Sequence, residues 1–182
     1  MKVCLIEPPK FVSLTNFVST ISMPPIGLAY IAAAIREKGH DVAIVDAPGS
    51  APRNHHIFKD EIRVRGLTHD QIVERIPFDV QVIGLGCMFT SHWVYVRELV
   101  DKIRNSFPNI HIVMGGEHVT GFPDFSLEQA PLDSVVMGEG EETIAQLLEH
   151  LDKSLPLDDV AGIAYKDEEG LIRVNSRRKR MK

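Results

Sequence analysis

The sequence of 182 residues contains only two cysteines, Cys4 and Cys87. Two thiolates are too few to complete a four-cysteine zinc site or to hold an iron–sulfur cluster, and the C-x-x-C spacing of a redox pair is absent. Each cysteine lies in an apolar stretch, which predicts two buried thiols. We therefore expect no disulfide and no iron–sulfur cluster in this chain.

The sequence also lacks a long hydrophobic run and a secretion signal. No apolar stretch approaches the about 20 residues that a membrane-spanning helix needs. The N-terminal MKVCLIEPP has one lysine, and its apolar run ends at charge and proline, unlike a secretory signal. We expect a cytoplasmic protein without membrane association.

Positive charge is scarce outside the C-terminus. The chain has 20 Lys and Arg against 25 Asp and Glu, for a net charge of −5, and five of the positive charges lie in residues 177–182. The rest of the chain is strongly acidic and has no basic stripe with interleaved aromatics, which argues against a nucleic-acid partner. We interpret residues 176–182 as a basic tail or linker.

Apolar runs alternate with helical periodicity along the chain. Buried strands are predicted at residues 3–6, 42–46, 80–84, 110–114 and 133–137, and helices at 26–38, 69–75, 93–106, 123–129 and 141–151. This alternation predicts an α/β, flavodoxin-like (Rossmann-like) fold with a five-stranded parallel sheet in the order 2-1-3-4-5. Segments 161–165 and 171–174 predict a C-terminal β-hairpin.

The domain organisation follows from these elements. We assign residues 1–155 to the Rossmann-like domain, 156–175 to a β-hairpin extension and 176–182 to the tail. Residues 10–24 and 47–66 are predicted as long loops, which in compact domains are usually functional or disordered. Thr68 and Gln71 have the spacing of a helix capping box.

Glycines follow three successive strands of the predicted sheet. Gly84 and Gly86 lie at the end of strand 3, Gly115-Gly116 after strand 4 and Gly138-Glu139-Gly140 after strand 5. Glycine lets the backbone approach a ligand closely, and ligands of such sheets bind at the carboxyl ends of the strands. Tight turns alone also require glycine, but three such loops at one edge favour a ligand site.

Motifs for nucleotide binding and phosphate signalling are missing. Strand 1 runs into Glu7-Pro8-Pro9 instead of G-x-G-x-x-G, and no G-x-x-x-x-G-K-[ST] occurs, which argues against dinucleotides and nucleoside triphosphates. The acidic residue after strand 3 and the lysine after strand 5 that a phosphorylation receiver needs are also absent.

Candidate nucleophiles and bases do lie at this edge. They are Cys87, Ser91, His92, Glu117, His118, Glu139 and Glu141. A Cys87–His92 pair on one loop is conceivable, although the apolar setting of Cys87 raises a thiol pKa. Glu117 and His118 are adjacent and make a poor chelate, so no protein metal site is predicted. A small stand-alone enzyme that uses Cys87 and His92 stays open as an alternative.

Several motifs, in order and spacing, resemble a known family. They are MPPIGLAYIA at residues 23–32, GHDV at 39–42, VDA at 45–47, VIGLGCMFT at 82–90, GGEHVT at 115–120, GEGEET at 138–143 and VAGIAY at 160–165. Together they resemble the cobalamin-binding N-terminal domain of cobalamin-dependent radical S-adenosylmethionine (radical SAM) enzymes, over about residues 20–175.

The resemblance implies cobalamin as the cofactor and names the residues that hold it. The corrin ring would lie across the carboxyl edge of the sheet, and the nucleotide tail would enter between the sheet and the loops after strands 4 and 5. The implied cofactor-binding residues are Gly86, Cys87, Met88, Phe89, Thr90, Gly115, Gly116, Glu117, His118, Val119, Gly138, Glu139 and Gly140.

Two departures from the wider family refine this expectation. Many cobalamin domains carry D-x-H-x-x-G after strand 2, where the histidine ligates cobalt. Here Pro48 stands in place of that histidine, so no protein ligand is expected there, although His55 or His56 could substitute. The C-x-x-x-C-x-x-C motif of radical chemistry is also absent, so no radical step is expected on this polypeptide.

The resemblance therefore implies a carrier that is not catalytic by itself. The chain would bind cobalamin and carry a methyl group for a radical SAM methyltransferase domain or subunit that this chain lacks. The alternatives are the stand-alone enzyme with Cys87 and His92, or a cofactor-free interaction module.

Overall fold

The computed structural model describes residues 1–12, 23–59 and 62–178. Its strands are β1 (Lys2–Glu7), β2 (Lys10–Val12), β3 (Asp41–Asp46), β4 (His55–Phe58), β5 (Ile62–Arg65), β6 (Val82–Gly86), β7 (His111–Gly115), β8 (Ser134–Val136), β9 (Ile163–Lys166) and β10 (Ile172–Val174). Its helices are α1 (Ile26–Glu37), α2 (Ala47–Ser50), α3 (His69–Val73), α4 (Trp93–Ser106), α5 (Glu117–Gly121), α6 (Pro123–Gln129) and α7 (Glu141–Asp152).

The main sheet has seven strands in the order β10-β9-β8-β7-β6-β1-β3. Strands β3, β1, β6, β7 and β8 run parallel to one another, which confirms the predicted α/β fold with a mostly parallel sheet. The predicted count of five is wrong for the sheet as a whole. The C-terminal hairpin pairs antiparallel with β8, Ser134 opposite Tyr165, and so adds β9 and β10.

Each face of the sheet is covered by its own helices. On one face, α3 to α6 pack on the strands through a core that includes Leu99, Ile103 and Leu127. On the other face, α1 and α7 pack through residues such as Ile35 and Leu147. Strands buried on both faces must be apolar throughout, which is why their sequences are short continuous apolar runs.

Residues 10–12, 47–59 and 62–66 contain strands and a short helix where the sequence predicts loops. Strands β2, β5 and β4 make a second, antiparallel sheet of three strands, preceded by the short helix α2. The prediction of one long connection at residues 47–66 is therefore wrong. Of the predicted loop at 10–24, residues 13–22 lie outside the described residues.

Tyr95 of α4 anchors this second sheet. Its ring is buried and packs edge-on against Phe58, with ring centroids 5.0 Å apart. Its hydroxyl lies 3.0 Å from Nε2 of His56, and the rings of Phe11 and His69 lie 6.0 and 4.0 Å away. Aromatic packing and the contact of His56 with Tyr95 thus help to hold the second sheet against α4.

The start of α3 is fixed by the predicted capping box. The Thr68 hydroxyl accepts from the Gln71 backbone N–H at 3.3 Å, and the Gln71 side chain accepts from the Thr68 N–H at 3.0 Å. Two N–H groups that the helix itself cannot satisfy are thereby paired.

His69, the first residue of α3, makes stability depend on pH. Burial lowers its pKa from 6.5 to about 4, so the folded state favours the neutral ring. Its contribution to stability is complete above pH 6.5 and is lost as the pH falls towards 4. Between about pH 7 and about pH 5, the free energy of unfolding should fall about 1 kcal/mol more in the wild type than in His69→Phe. This difference is smaller than the pKa shift alone would give, because the ring is partly exposed and solvent screens its charge. Urea denaturation at both pH values measures this, and equal losses would contradict it.

The C-terminal residues return to α7. The Arg178 guanidinium donates to the Thr143 hydroxyl at 2.9 Å, to the Gln146 side chain and to the Ala161 carbonyl oxygen at 3.3 Å. The predicted tail therefore begins with residues that pack on the domain, and residues 179–182 lie outside the described part. Among the described residues, none of the helices combines the length and the apolar character of a membrane span.

Candidate functional site

A cavity of about 430 Å³ lies at the carboxyl ends of the parallel strands. It extends between the sheet and helices α1 and α7. Leu5, Val113 and Val136 line it from the sheet, and Leu28 and Ile31 from α1. Its volume is that of a cleft that takes a drug-sized group, and its wall is largely apolar.

Glycines form the floor of this cavity. Gly84 and Gly86 of β6 pair with Val113 and Gly115 of β7. A Cβ atom on Gly84 would lie 2.8 Å from the Leu5 side chain, whereas a Cβ on Gly115 would meet no atom within 4 Å. Gly115 lines the cavity, so the side chain it lacks leaves room there for a ligand, whereas the side chain that Gly84 lacks leaves room for Leu5.

Gly116 has a different role from its neighbour. Its φ is +110°, and a Cβ there would lie 2.5 Å from the Cys87 carbonyl oxygen. That oxygen accepts from the His118 N–H at 3.1 Å, and the Cys87 N–H donates to the Gly115 carbonyl oxygen at 2.8 Å. Gly116 therefore lets the loops after β6 and β7 lock together.

The loop after β8 closes the other side of the cavity. Gly138 has a φ of +80°, and its N–H donates to the Thr120 hydroxyl at 2.9 Å. A Cβ on Gly140 would lie 2.9 Å from the Ile31 side chain, so glycine permits close contact between this loop and α1. Glu139 and Glu141 also line the cavity.

The structure brings eight of the thirteen predicted binding residues to the cavity. These are Gly86, Cys87, Met88, Gly115, Gly116, Gly138, Glu139 and Gly140. Five others do not line it: Phe89, Thr90, Glu117, His118 and Val119. A role for those five in holding a cofactor stays a prediction.

His118 and Val119 instead lie in the layer of α4 to α6. Val119 belongs to the core of that face, and the ring of His118 packs against Trp93 with centroids 4.5 Å apart. Nδ1 of His118 lies 3.1 Å from the Thr90 hydroxyl. These contacts join the loops after β6 and β7 on the side of the sheet that faces away from the cavity.

Sequence reasoning missed the apolar walls and one ion pair. The sequence pattern predicts strands and helices at Leu5, Leu28, Val113 and Ile144, but nothing in it shows that these residues face a ligand. At the mouth of the cavity, Lys10 forms an ion pair with Glu7. Lys10 belongs to β2, which was predicted as loop.

The Cys87–His92 pair does not have the features of an activated nucleophile. Burial raises the pKa of the Cys87 thiol to about 12, and the thiol donates to the Phe89 carbonyl oxygen with Sγ 3.7 Å away. Burial also lowers the pKa of His92. A reactive cysteine needs a lowered pKa, so the raised pKa of Cys87 and its contact with Phe89 give the stand-alone enzyme no support.

The histidines near the second sheet are likewise displaced from the cavity. Pro48 is buried in α2, and His55 and His56 lie on β4 and do not line the cavity. The described residues hold no group of three or more His, Cys, Asp or Glu that could bind a metal ion.

Comparison with known proteins identifies the family. The model of the B12 binding domain matches residues 14–148, so the chain belongs to the B12-binding domain family. The resemblance seen in the sequence is thereby confirmed.

Two curated relatives match nearly the whole chain. An uncharacterized methyltransferase of Pyrococcus horikoshii is 35% identical over 176 residues, which are 95% of this chain and 34% of that protein. An anaerobic magnesium-protoporphyrin IX monomethyl ester cyclase of Synechocystis is 30% identical, over 94% of this chain and 32% of that protein. The chain thus spans about a third of these relatives' length.

A solved structure shares the fold. It is that of the cobalamin-dependent S-adenosylmethionine radical enzyme OxsB with aqua-cobalamin and S-adenosylmethionine bound. The match has a TM-score of 0.75 and 23% sequence identity, and it covers 98% of this chain and 22% of that chain.

Proposed function

We propose that this chain holds cobalamin at the carboxyl edge of its sheet and carries a methyl group for a radical SAM methyltransferase part that it does not itself contain. The observation that carries the proposal is the cavity floored by glycines. Space left by absent side chains next to Gly115, at the edge where such sheets bind ligands, is what a bulky cofactor requires.

The residues present fit part of the cofactor. Cobalamin is much larger than a drug-sized molecule, so a cavity of about 430 Å³ suits one portion of it. We assign the nucleotide tail to the cavity, against Gly84, Gly86 and Gly115, and the corrin ring to the mouth, near Met88. Gly138, Glu139 and Gly140 would close the side next to α7.

The chain's own residues bind and shield the cofactor. Leu28, Ile31 and Ile144 exclude water from the cavity, which strengthens polar contacts within it. The ion pair of Lys10 and Glu7 places polar groups at the mouth. When bound, cobalamin would supply a cobalt centre that accepts a methyl group and gives it up to an acceptor.

The catalytic partner would be a radical SAM domain or subunit. In support, the chain spans about a third of two relatives, one of which is a methyltransferase. The acidic body argues against nucleic acid as a partner, and we place the protein in the cytoplasm.

Binding of hydroxocobalamin tests the proposal. The purified chain, incubated with hydroxocobalamin and separated from free cofactor by gel filtration, should elute with a red chromophore in about one-to-one ratio, because the cavity provides one site. The visible absorption spectrum of the protein peak measures this. Folded protein without chromophore would reject cobalamin binding and leave a cofactor-free interaction module.

A further inference from the structure

His92 is a cavity residue whose imidazole has no assigned role. It ends the short 3-10 turn Thr90–His92 that leads into α4, and it lines the cavity. Its backbone N–H donates to the Phe89 carbonyl oxygen at 2.9 Å. This hydrogen bond therefore fixes the position of the His92 backbone, from which the side chain extends.

The ring of His92 packs against two aromatic rings in a tilted and an edge-on arrangement. Its centroid lies 4.5 Å from that of Phe11 and 5.5 Å from that of Phe89. Other histidines use a ring nitrogen: His56 contacts the Tyr95 hydroxyl and His111 the Ser134 hydroxyl. Within the described residues, both ring nitrogens of His92 stay without a hydrogen-bond partner.

The other potential ligands at the cavity are less suited to a transition metal. The Cys87 thiol donates to a carbonyl oxygen, and the Lys10 ammonium is paired with Glu7 and has no lone pair. Carboxylates suit harder ions, thioethers such as Met88 suit softer ones, and imidazole suits borderline first-row metals. His92 thus presents the matching donor type.

We propose that His92 is a protein nitrogen ligand of the cobalt in bound corrinoid, in place of the histidine whose position Pro48 occupies. This rests on the proposed function, since it requires that the chain bind cobalamin. Phe11 and Phe89 then act as supports that orient the imidazole, and β2 of the second sheet contributes one of them.

Electron paramagnetic resonance of the cobalt(II) form tests the proposal without any variant. Cobinamide, which lacks the nucleotide base, is the probe, reduced after binding to the purified chain. A coordinated nitrogen-14 splits each cobalt line into a triplet, and a nitrogen-15 splits it into a doublet. We expect triplets with unlabelled protein and doublets with protein whose histidines carry nitrogen-15.

Two variants identify the histidine. His92→Phe keeps a ring for Phe11 and Phe89 but should lose the nitrogen splitting, whereas His55→Ala, on β4 away from the cavity, should keep it. Bound cobinamide without nitrogen splitting, or splitting that persists in His92→Phe, overturns the role of His92 while corrinoid binding stands. If hydroxocobalamin binds but cobinamide does not, hydroxocobalamin replaces it as the probe, and a triplet in the protein with nitrogen-15 histidine, which comes from the cofactor's own base, overturns the role of His92. If neither binds the wild type, the proposed function falls and this inference with it.

Discussion

Replacing Gly115 by leucine should weaken hydroxocobalamin binding at least about a hundredfold while leaving the domain folded. A Cβ at Gly115 meets no atom within 4 Å and lies in the cavity wall, so the leucine would fill space that the cofactor needs. Because the backbone φ of Gly115 is not positive, leucine can adopt the same backbone conformation. Glycine inside a β-strand weakens the strand, so its replacement removes no stabilising feature of β7. The free energy of unfolding should therefore change by less than about 1 kcal/mol. Absorbance titration and urea denaturation measure the two effects.

Gly121→Leu is the matched control for this substitution. A Cβ at Gly121 also meets no atom within 4 Å, but the residue is exposed at the end of α5, away from the cavity. It should bind hydroxocobalamin like the wild type. Gly116 is unsuitable because a side chain there would collide with the Cys87 backbone. Tight binding by folded Gly115→Leu would reject the placement of the cofactor in this cavity.

Truncating Tyr95 to alanine should cost about 3–5 kcal/mol of stability, as expected for removal of a buried aromatic ring. Tyr95 is 2% exposed and contacts His56, Phe58 and His69 together. After loss of the ring, the second sheet should unfold before the rest of the domain, because the packing of that sheet on α4 depends on these contacts. Urea denaturation measures the total effect, and amide hydrogen exchange in β4 and β5 shows where it arises.

Tyr95→Phe separates the ring from its hydroxyl. It keeps the aromatic packing and loses only the contact with His56, so it should cost about 1 kcal/mol. If Tyr95→Ala lowers stability no more than Tyr95→Phe does, the ring does not anchor the second sheet. Unchanged exchange in β4 and β5 would point to the same conclusion.

The main sheet was predictable because its elements carry strong periodic signals. The helix predicted at residues 93–106 is α4, Trp93–Ser106, since Val96, Leu99 and Ile103 recur on one face. The second sheet has no such signal. Its strands are three or four residues long and mix His, Arg and Lys with apolar residues. They pack against Tyr95, which is distant in sequence.

For the site, the sequence predicts the position of the glycine-containing loops but not the arrangement of the side chains around them. Glycines after successive strands mark the edge where a ligand binds, because the topology brings those loops together. Which side chains line the cavity depends on the face of its strand or helix on which each residue lies. His118 therefore packs with Trp93 behind the wall, while Leu28 and Ile31 form the wall itself, and no motif near the glycines indicates either.

The hairpin of β9 and β10 has a consequence for solubility. A fragment ending at residue 155, the boundary drawn from sequence, would leave β8 as an edge strand with unpaired backbone groups along Ser134–Val136. Such apolar edges are templates for pairing between chains. The hairpin covers this edge, and Arg178 fastens the segment after it to α7. The hairpin thus protects the sheet from pairing between chains, and so from aggregation.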